Sequence, residues 1–167
     1  GTAIKHWDAL SDPAFTQFDV AGYNYLPDKY EPAHARHPER VMYGSESFPK
    51  DAYDYWALVE KHPYIIGDFV WTAMDYLGEA GIGHRLLSDE KNPFFMPWPW
   101  FNAWCGDLDL IGQKKPQSHY RDVVWRRSPL EIAVHTPIPE GLTEVLSWWG
   151  WPGQARGWNW AGHEGRP

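Results

Sequence analysis

Residues 40–71, RVMYGSESFPKDAYDYWALVEKHPYIIGDFVW, constrain the fold more than any other stretch of this chain. Two short runs of apolar and aromatic residues, 40–46 and 64–71, flank a segment with helical spacing. In that segment Pro49 suits a first helical turn, Ser47 or a neighbour is placed to cap it, and Asp51 complements the positive helix end. Ala52, Tyr55, Trp56 and Val59 fall on one face, and Pro63 stops the run. Strand, amphipathic helix and strand, with both strands apolar on both faces, is the pattern of a parallel α/β sheet.

The flanking sequence extends the pattern. QFDVAGYNYL (17–26) reads as another buried strand, ending on Asn24 and Tyr25. Residues 27–40 hold three prolines and predict a loop with at most a short helix. The stretch 76–112 is rich in Gly, Pro and aromatics without a sustained period, and a loop of that length is usually functional. Further on, 114–127 predicts a helix with Pro116 near its start and Tyr120, Val123 and Val124 on one face. Residues 129–136 alternate Leu130, Ile132 and Val134 as a half-exposed strand, and a Trp-, Gly- and Pro-rich tail follows. Three apolar strands make a poor closed domain, because both outer strands stay unpaired. The chain therefore reads as a piece of something larger.

Composition narrows the function. The chain has 167 residues and a net charge of -7, which argues against a nucleic-acid footprint. Its 12 Trp, 9 Tyr and 7 Phe offer flat faces suited to core packing and to sugar rings. The single cysteine, Cys105, forms no internal disulfide, and no apolar run approaches the ~18 residues of a membrane span. GTAIKHWDAL at the start carries no signal-peptide pattern.

Glu46 closes the run 40–46. The plain reading is a surface glutamate after a strand. The functional reading is that C-terminal strand ends are where α/β folds keep their active sites. Asp75 and Glu79 follow the next strand, and paired carboxylates among aromatics suggest glycoside hydrolysis. His34 and His37 have no convincing further metal ligands, GEAGIG (78–83) lacks the residues that complete a phosphate loop, and Arg126–Arg127 close a helix. The expectation is no metal and no cofactor.

FDVAGYNYLPDKY, RVMYGSESFP and YIIGDFVWTAMDYLGEAGIG resemble, in order, the sixth, seventh and eighth strands of the catalytic barrel of glycoside hydrolase family 2. GQKKPQSHYRDVVW resembles the last barrel helix of a bacterial β-galactosidase-like branch, and the Trp-rich tail its lead into an immunoglobulin-like β-domain. The resemblance implies an α/β fold: the last three βα units of a (β/α)8 barrel in 1–127, then the start of a β-sandwich module in 128–167. It implies a retaining exo-β-galactosidase-like activity on carbohydrate, in a bacterial periplasmic or extracellular setting.

Residue by residue, the resemblance makes Glu46 the nucleophile and Trp71 a sugar platform, often followed by a non-proline cis peptide. Asn24 and Tyr25 fall in the polar cluster ending the sixth strand, and Tyr25 or Tyr30 is a candidate hydrogen-bond donor to the nucleophile. Asp75 shapes the pocket floor, binds a sugar hydroxyl or is structural; Glu79 and His84 are further candidates for substrate contact. The family's acid/base is a glutamate preceded by asparagine, and no Asn-Glu dipeptide occurs here. The chain then begins after the fifth strand, its missing partner is the upstream remainder of its own barrel, and it is inactive alone. The strands near 19–25 and 64–71 should be open edges with apolar side chains exposed. A non-catalytic carbohydrate-binding protein and a β-glucuronidase-type enzyme are the alternatives.

Overall fold

The computed structural model describes residues 2–4, 13–88, 100–155 and 165. Residues 5–12, the middle of the 76–112 stretch and most of the tail beyond 155 lie outside the described residues. The chain divides by contact into two compact units, Gly1–Thr72 and Ala73–Pro167. That boundary falls inside the expected 1–127 segment.

The first unit is a parallel sheet in sequential order: β1 (Thr2–Ile4), β2 (Val20–Asn24), β3 (Val41–Ser47) and β4 (Ile65–Val70). Helices α1 (Tyr30–Arg36) and α2 (Ala52–Lys61) occupy the two connections after β2. The strand–helix–strand reading of 40–71 holds, with two local corrections. Ser47 is the last residue of β3 and not a cap, and α2 starts from a 3-10 turn, Pro49–Asp51, without a side-chain cap. Pro49 and the acidic Asp51 and Asp54 mark that helix start, and Lys61 the last turn.

One face of the sheet carries the core. Tyr23, Met42 and Ile65 cluster there with Tyr30 and Ala33 of α1 and Tyr55 of α2. The tyrosines pack edge to face, Tyr23 on Tyr30 at 5.5 Å and Tyr30 on Tyr55 at 6.4 Å, which suits the aromatic quadrupole. The Arg40 guanidinium donates to the buried Tyr23 hydroxyl at 3.0 Å, so that polar tip has its partner. On the other face Phe69 is 65% and Ile66 60% exposed, and Tyr43 meets Phe69 edge to face. Apolar exposure at the β4 edge matches the expectation. The other edge does not: β1 pairs in parallel with β2 over Thr2–Ile4, so 19–25 is an interior strand. Three residues are too few for a hydrophobic period to register.

The second unit is built from short antiparallel pairs and one helix. β5 (Tyr76–Leu77) pairs with β7 (Asn102–Ala103), β6 (Arg85–Leu87) with β9 (Glu144–Leu146), and β8 (Val134–His135) with β10 (Gln154–Ala155). The expected strand 129–136 shrinks to Val134–His135, and Leu130 and Ile132 are each 69% exposed. Helix α3 (Pro116–Val124) starts at its proline, but its buried residues are Gln117, Ser118 and Arg121. The apolar face expected for it is only partly covered, because this helix packs on a polar cluster.

Glu144 ties three of these strands. Its carboxylate accepts from the Gly153 amide at 2.7 Å, Arg85 Nη1 at 2.9 Å and His135 Nε2 at 3.1 Å. Burial alone raises its carboxyl, but these bonds outweigh burial and hold it below the usual carboxylate range. A depressed folded-state pKa contributes stability above the unfolded value that is lost as pH falls. Glu144→Gln is therefore expected to cost roughly 1–3 kcal/mol at pH 7. The deficit should close as pH falls below about 4.5, checked by urea unfolding between about pH 3 and 7.

Candidate active site

Parallel strands deliver their C-terminal ends to one edge of the sheet, and Asn24, Glu46 and Trp71 arrive there from β2, β3 and the residue after β4. Register decides which way each faces. Tyr23 pairs with Gly44 on the helix-covered face, but the next pair is Asn24 with Glu46, so β3 holds one extra residue. The same surplus appears against β4, where Gly44 pairs with Asp68 and Ser47 with Val70. An extra residue reverses the alternation of side chains. Without it Glu46 shares the face of Gly44, under the helices; with it Glu46 shares the face of Asn24, on the open side.

The backbone around this bulge is pinned from both neighbours. The Tyr25 amide donates to the Glu46 carbonyl at 3.0 Å, and the Trp71 amide to the Ser47 carbonyl at 2.9 Å. Tyr25 has φ 57° and its ring packs on Phe48 at 4.3 Å. The peptide bond Trp71–Thr72 is cis, as the family resemblance implied. The Glu46 carboxylate is half-buried and makes no hydrogen bond or ion pair among the described residues. Beside it Asn24 is 9% exposed, and its Oδ1 is buried without a hydrogen-bond partner. An unpartnered carboxylate next to an unpartnered amide oxygen is an arrangement suited to hydroxyl donors.

Tyr30 takes a different place. It is fully buried on the helix-covered face, its hydroxyl without a hydrogen-bond partner, and burial followed by the Asp68 charge pushes its phenol well above the ordinary range. Register puts it across the sheet from Glu46, so of the two tyrosines only Tyr25 sits beside the bulge.

In the second unit Asp75 has a fully buried side chain. Its oxygens accept from Lys115 Nζ at 2.8 and 3.1 Å, and Oδ1 also from the Gly106 amide at 2.8 Å. Burial raises the Asp75 carboxyl and lowers the Lys115 ammonium, and their mutual bond opposes both shifts. Lys115 also donates to the Trp104 carbonyl at 2.6 Å and lies 4.5 Å from the Trp104 ring centroid. Gly106 permits this crossing: a Cβ there would lie 2.1 Å from the Asp75 backbone nitrogen. Glu79 is exposed in a turn at φ 42°, accepting from the Tyr76 hydroxyl, and the His84 ring packs on Trp100 at 3.9 Å.

Of the residues lining a concavity of about 430 Å³ walled by Trp100, Phe101, Trp104 and Ile111, with Asp109 at its margin, sequence reasoning named Asp75 alone and missed the aromatic walls. Its signal was the aromatic density of the long 76–112 stretch. His119, Asp122 and Glu131 bring ligand-type atoms within 4.8 Å of one another, but Lys114 and Arg127 already neutralise Asp122. His34 stacks on Tyr64 at 3.6 Å, while His37 lies beside Glu39. Burial pushes the Cys105 thiol up to about 12, which leaves it inert. No helix among the described residues is long and apolar enough to cross a membrane.

No family profile matches the chain. A curated protein of Formosa agariphila, named "Putative beta-glucuronidase", is 30% identical over 89 residues, covering 53% of this chain and 7% of that protein. Two solved structures of glycosyl hydrolase family 2 members from Bacteroides cellulosilyticus match 90% of the chain. One is 40% identical with a TM-score of 0.72, the other 39% identical with a TM-score of 0.63. The chain spans 20% and 17% of those two proteins.

Proposed function

From a chain that carries glycoside hydrolase family 2 sequence and fold over most of its length, we infer that the parent protein is a retaining exo-β-glycosidase with Glu46 as its nucleophile. The observation that carries this reading is the bulge in β3, which turns a half-buried carboxylate without a partner among the described residues to the open face beside Asn24. Glu46 attacks the anomeric carbon and forms a glycosyl-enzyme ester, and water then releases the sugar with net retention. Asn24 offers its amide to sugar hydroxyls, Tyr25 orients the nucleophile and Trp71 stacks on the sugar ring. Retention needs a second carboxyl about 5–5.5 Å away to protonate the leaving oxygen. With no Asn-Glu dipeptide in these 167 residues, that group belongs to another part of the parent protein and the stretch alone does not turn over. The roles expected of Asp75 and Glu79 concern the second unit and stand apart from this claim.

We place β1 to β4 as consecutive strands of a (β/α)8 barrel, with 128–167 leading into a β-sandwich module. Sequential parallel order, helices on one face only and exposed Ile66 and Phe69 on the other support the barrel.

The glycone of first choice is β-galactose. The name of the Formosa agariphila relative favours a second reading, a β-glucuronidase, which needs a cation to receive the sugar carboxylate. Aryl β-galactoside and aryl β-glucuronide assayed with the full-length protein separate the two. Turnover of the galactoside alone is expected. Turnover of the glucuronide alone moves the assignment to the second reading. Folded protein that binds sugar but hydrolyses neither points to a binding protein and sinks the enzymatic claim.

A further inference from the structure

We propose that Ser47 and Asp68 form a clasp beneath the sheet that sets the position of Glu46, making both positioning residues for the reaction. The proposal rests on the assignment of Glu46 as nucleophile and adds residues that the family resemblance did not point to.

Ser47 directly follows Glu46 and has the opposite orientation. It is fully buried, and its hydroxyl donates to Asp68 Oδ2 at 2.6 Å. Asp68 reaches that position because β4 has its own irregularity: Met42 pairs with Ile65 and Gly44 with Asp68, so β4 carries one extra residue there. The two irregularities cancel along the ladder, Met42–Ile65 and Ser47–Val70 having the same offset, but each reverses its own strand's alternation, so the serine and the aspartate both turn to the helix-covered face. Gly44 makes the room. A Cβ at that position would lie 2.9 Å from Asp68 Cβ, 3.0 Å from the Tyr30 hydroxyl and 3.1 Å from Tyr55 Cε1. Asp68 is half-buried, its charge acts on the packed Tyr30 and Tyr55, and a hydrogen bond to a carboxylate is among the stronger kinds.

The consequence for Glu46 follows from chain geometry. The extra residue of β3 is Ser45, whereas Glu46 pairs with Asn24 and its carbonyl accepts from the Tyr25 amide, so the face Glu46 presents depends on how the flanks of that insertion are held. On one flank Gly44 is fixed by close packing; on the other Ser47 is fixed by Asp68 and by the Trp71 amide. Releasing the clasp lets Ser45 and Glu46, the two residues between them, turn back toward regular alternation, which carries Glu46 away from Asn24.

The test uses Ser47→Ala, Asp68→Ala and Asp68→Asn in the full-length protein, read by kinetics and by crystal structures of the variants. Asn keeps a carbonyl acceptor for the serine hydroxyl. Expected are a kcat lower by about 10- to 100-fold in both alanine variants with KM within about threefold, and substantial recovery in Asp68→Asn. The variant structures should show the Glu46 carboxylate displaced. A Glu46 carboxylate that stays in its wild-type position in both alanine variants overturns the proposal. So does an equal loss in Asp68→Asn and Asp68→Ala together with lowered melting temperature, which marks a purely structural aspartate. If the wild-type protein hydrolyses no glycoside, the assignment of the nucleophile fails, and the crystal comparison still decides whether the clasp sets the direction of residue 46.

Discussion

Glu46→Gln in the full-length protein is expected to lower kcat/KM by on the order of 10⁴-fold or more, with the melting temperature within about 2 °C of wild type. The two halves of that expectation have separate causes. Glutamine keeps the volume and planarity of the side chain but cannot form the glycosyl ester, so the covalent step is lost. The fold barely registers the change, because the Glu46 carboxylate is half-buried and makes no hydrogen bond or ion pair among the described residues. A structural glutamate gives the opposite pattern, with modest loss of activity and lower stability. Steady-state kinetics and a thermal melt on one protein preparation separate these outcomes.

Lys115→Met should be the most damaging substitution for stability in the second unit, by about 3–5 kcal/mol. Lys115 is the cation in contact with the buried Asp75 carboxylate, and its ammonium also satisfies the Trp104 carbonyl. Methionine fills similar volume but leaves the carboxylate held by the Gly106 amide alone. Burial already raises the Asp75 carboxyl, and losing its cation raises it further. A raised folded-state pKa favours the folded form at pH values where the group is protonated, and that benefit is lost as pH rises through it. The variant should therefore be least stable near neutrality and recover toward acid pH. Adding Asp75→Asn to Lys115→Met should restore part of the loss, because it removes the stranded charge. Urea unfolding at several pH values checks both statements. A Lys115→Met protein as stable as wild type at pH 7 contradicts the account of this pair.

How much was legible in the sequence follows from what a one-dimensional pattern can encode. β3, α2 and β4 were readable because their apolar runs are long enough to show a period and prolines punctuate them. β1 was not, since the three residues Thr2–Ile4 are too few to carry a period. Helix α3 was found as a helix and its face misread: counting apolar positions selects Tyr120 and Val123, whereas Gln117 and Arg121 are buried on the polar network of Gly106 and Asp107. At the site, Glu46 could be flagged as a carboxylate at a strand end, and the resemblance supplied a role. Its direction could not be read. Regular alternation from Met42 and Gly44 sends residue 46 beneath the helices, and only the pairing of Asn24 with Glu46 reveals the bulge that reverses it. Tyr30 shows the converse. A tyrosine close in sequence to the strand end looked available to the nucleophile, yet α1 carries it to the other face and into the core.

The most direct measurement of the central claim is covalent trapping. The full-length protein, incubated with a 2-deoxy-2-fluoro β-galactoside bearing an activated leaving group, accumulates the glycosyl-enzyme because the fluorine slows both steps while the leaving group sustains the first. Peptide mapping by mass spectrometry should find the fluorosugar on the peptide containing Glu46, with no labelling of the Glu46→Gln variant. A label on any other carboxylate, or equal labelling of wild type and variant, contradicts the assignment of Glu46 as the nucleophile.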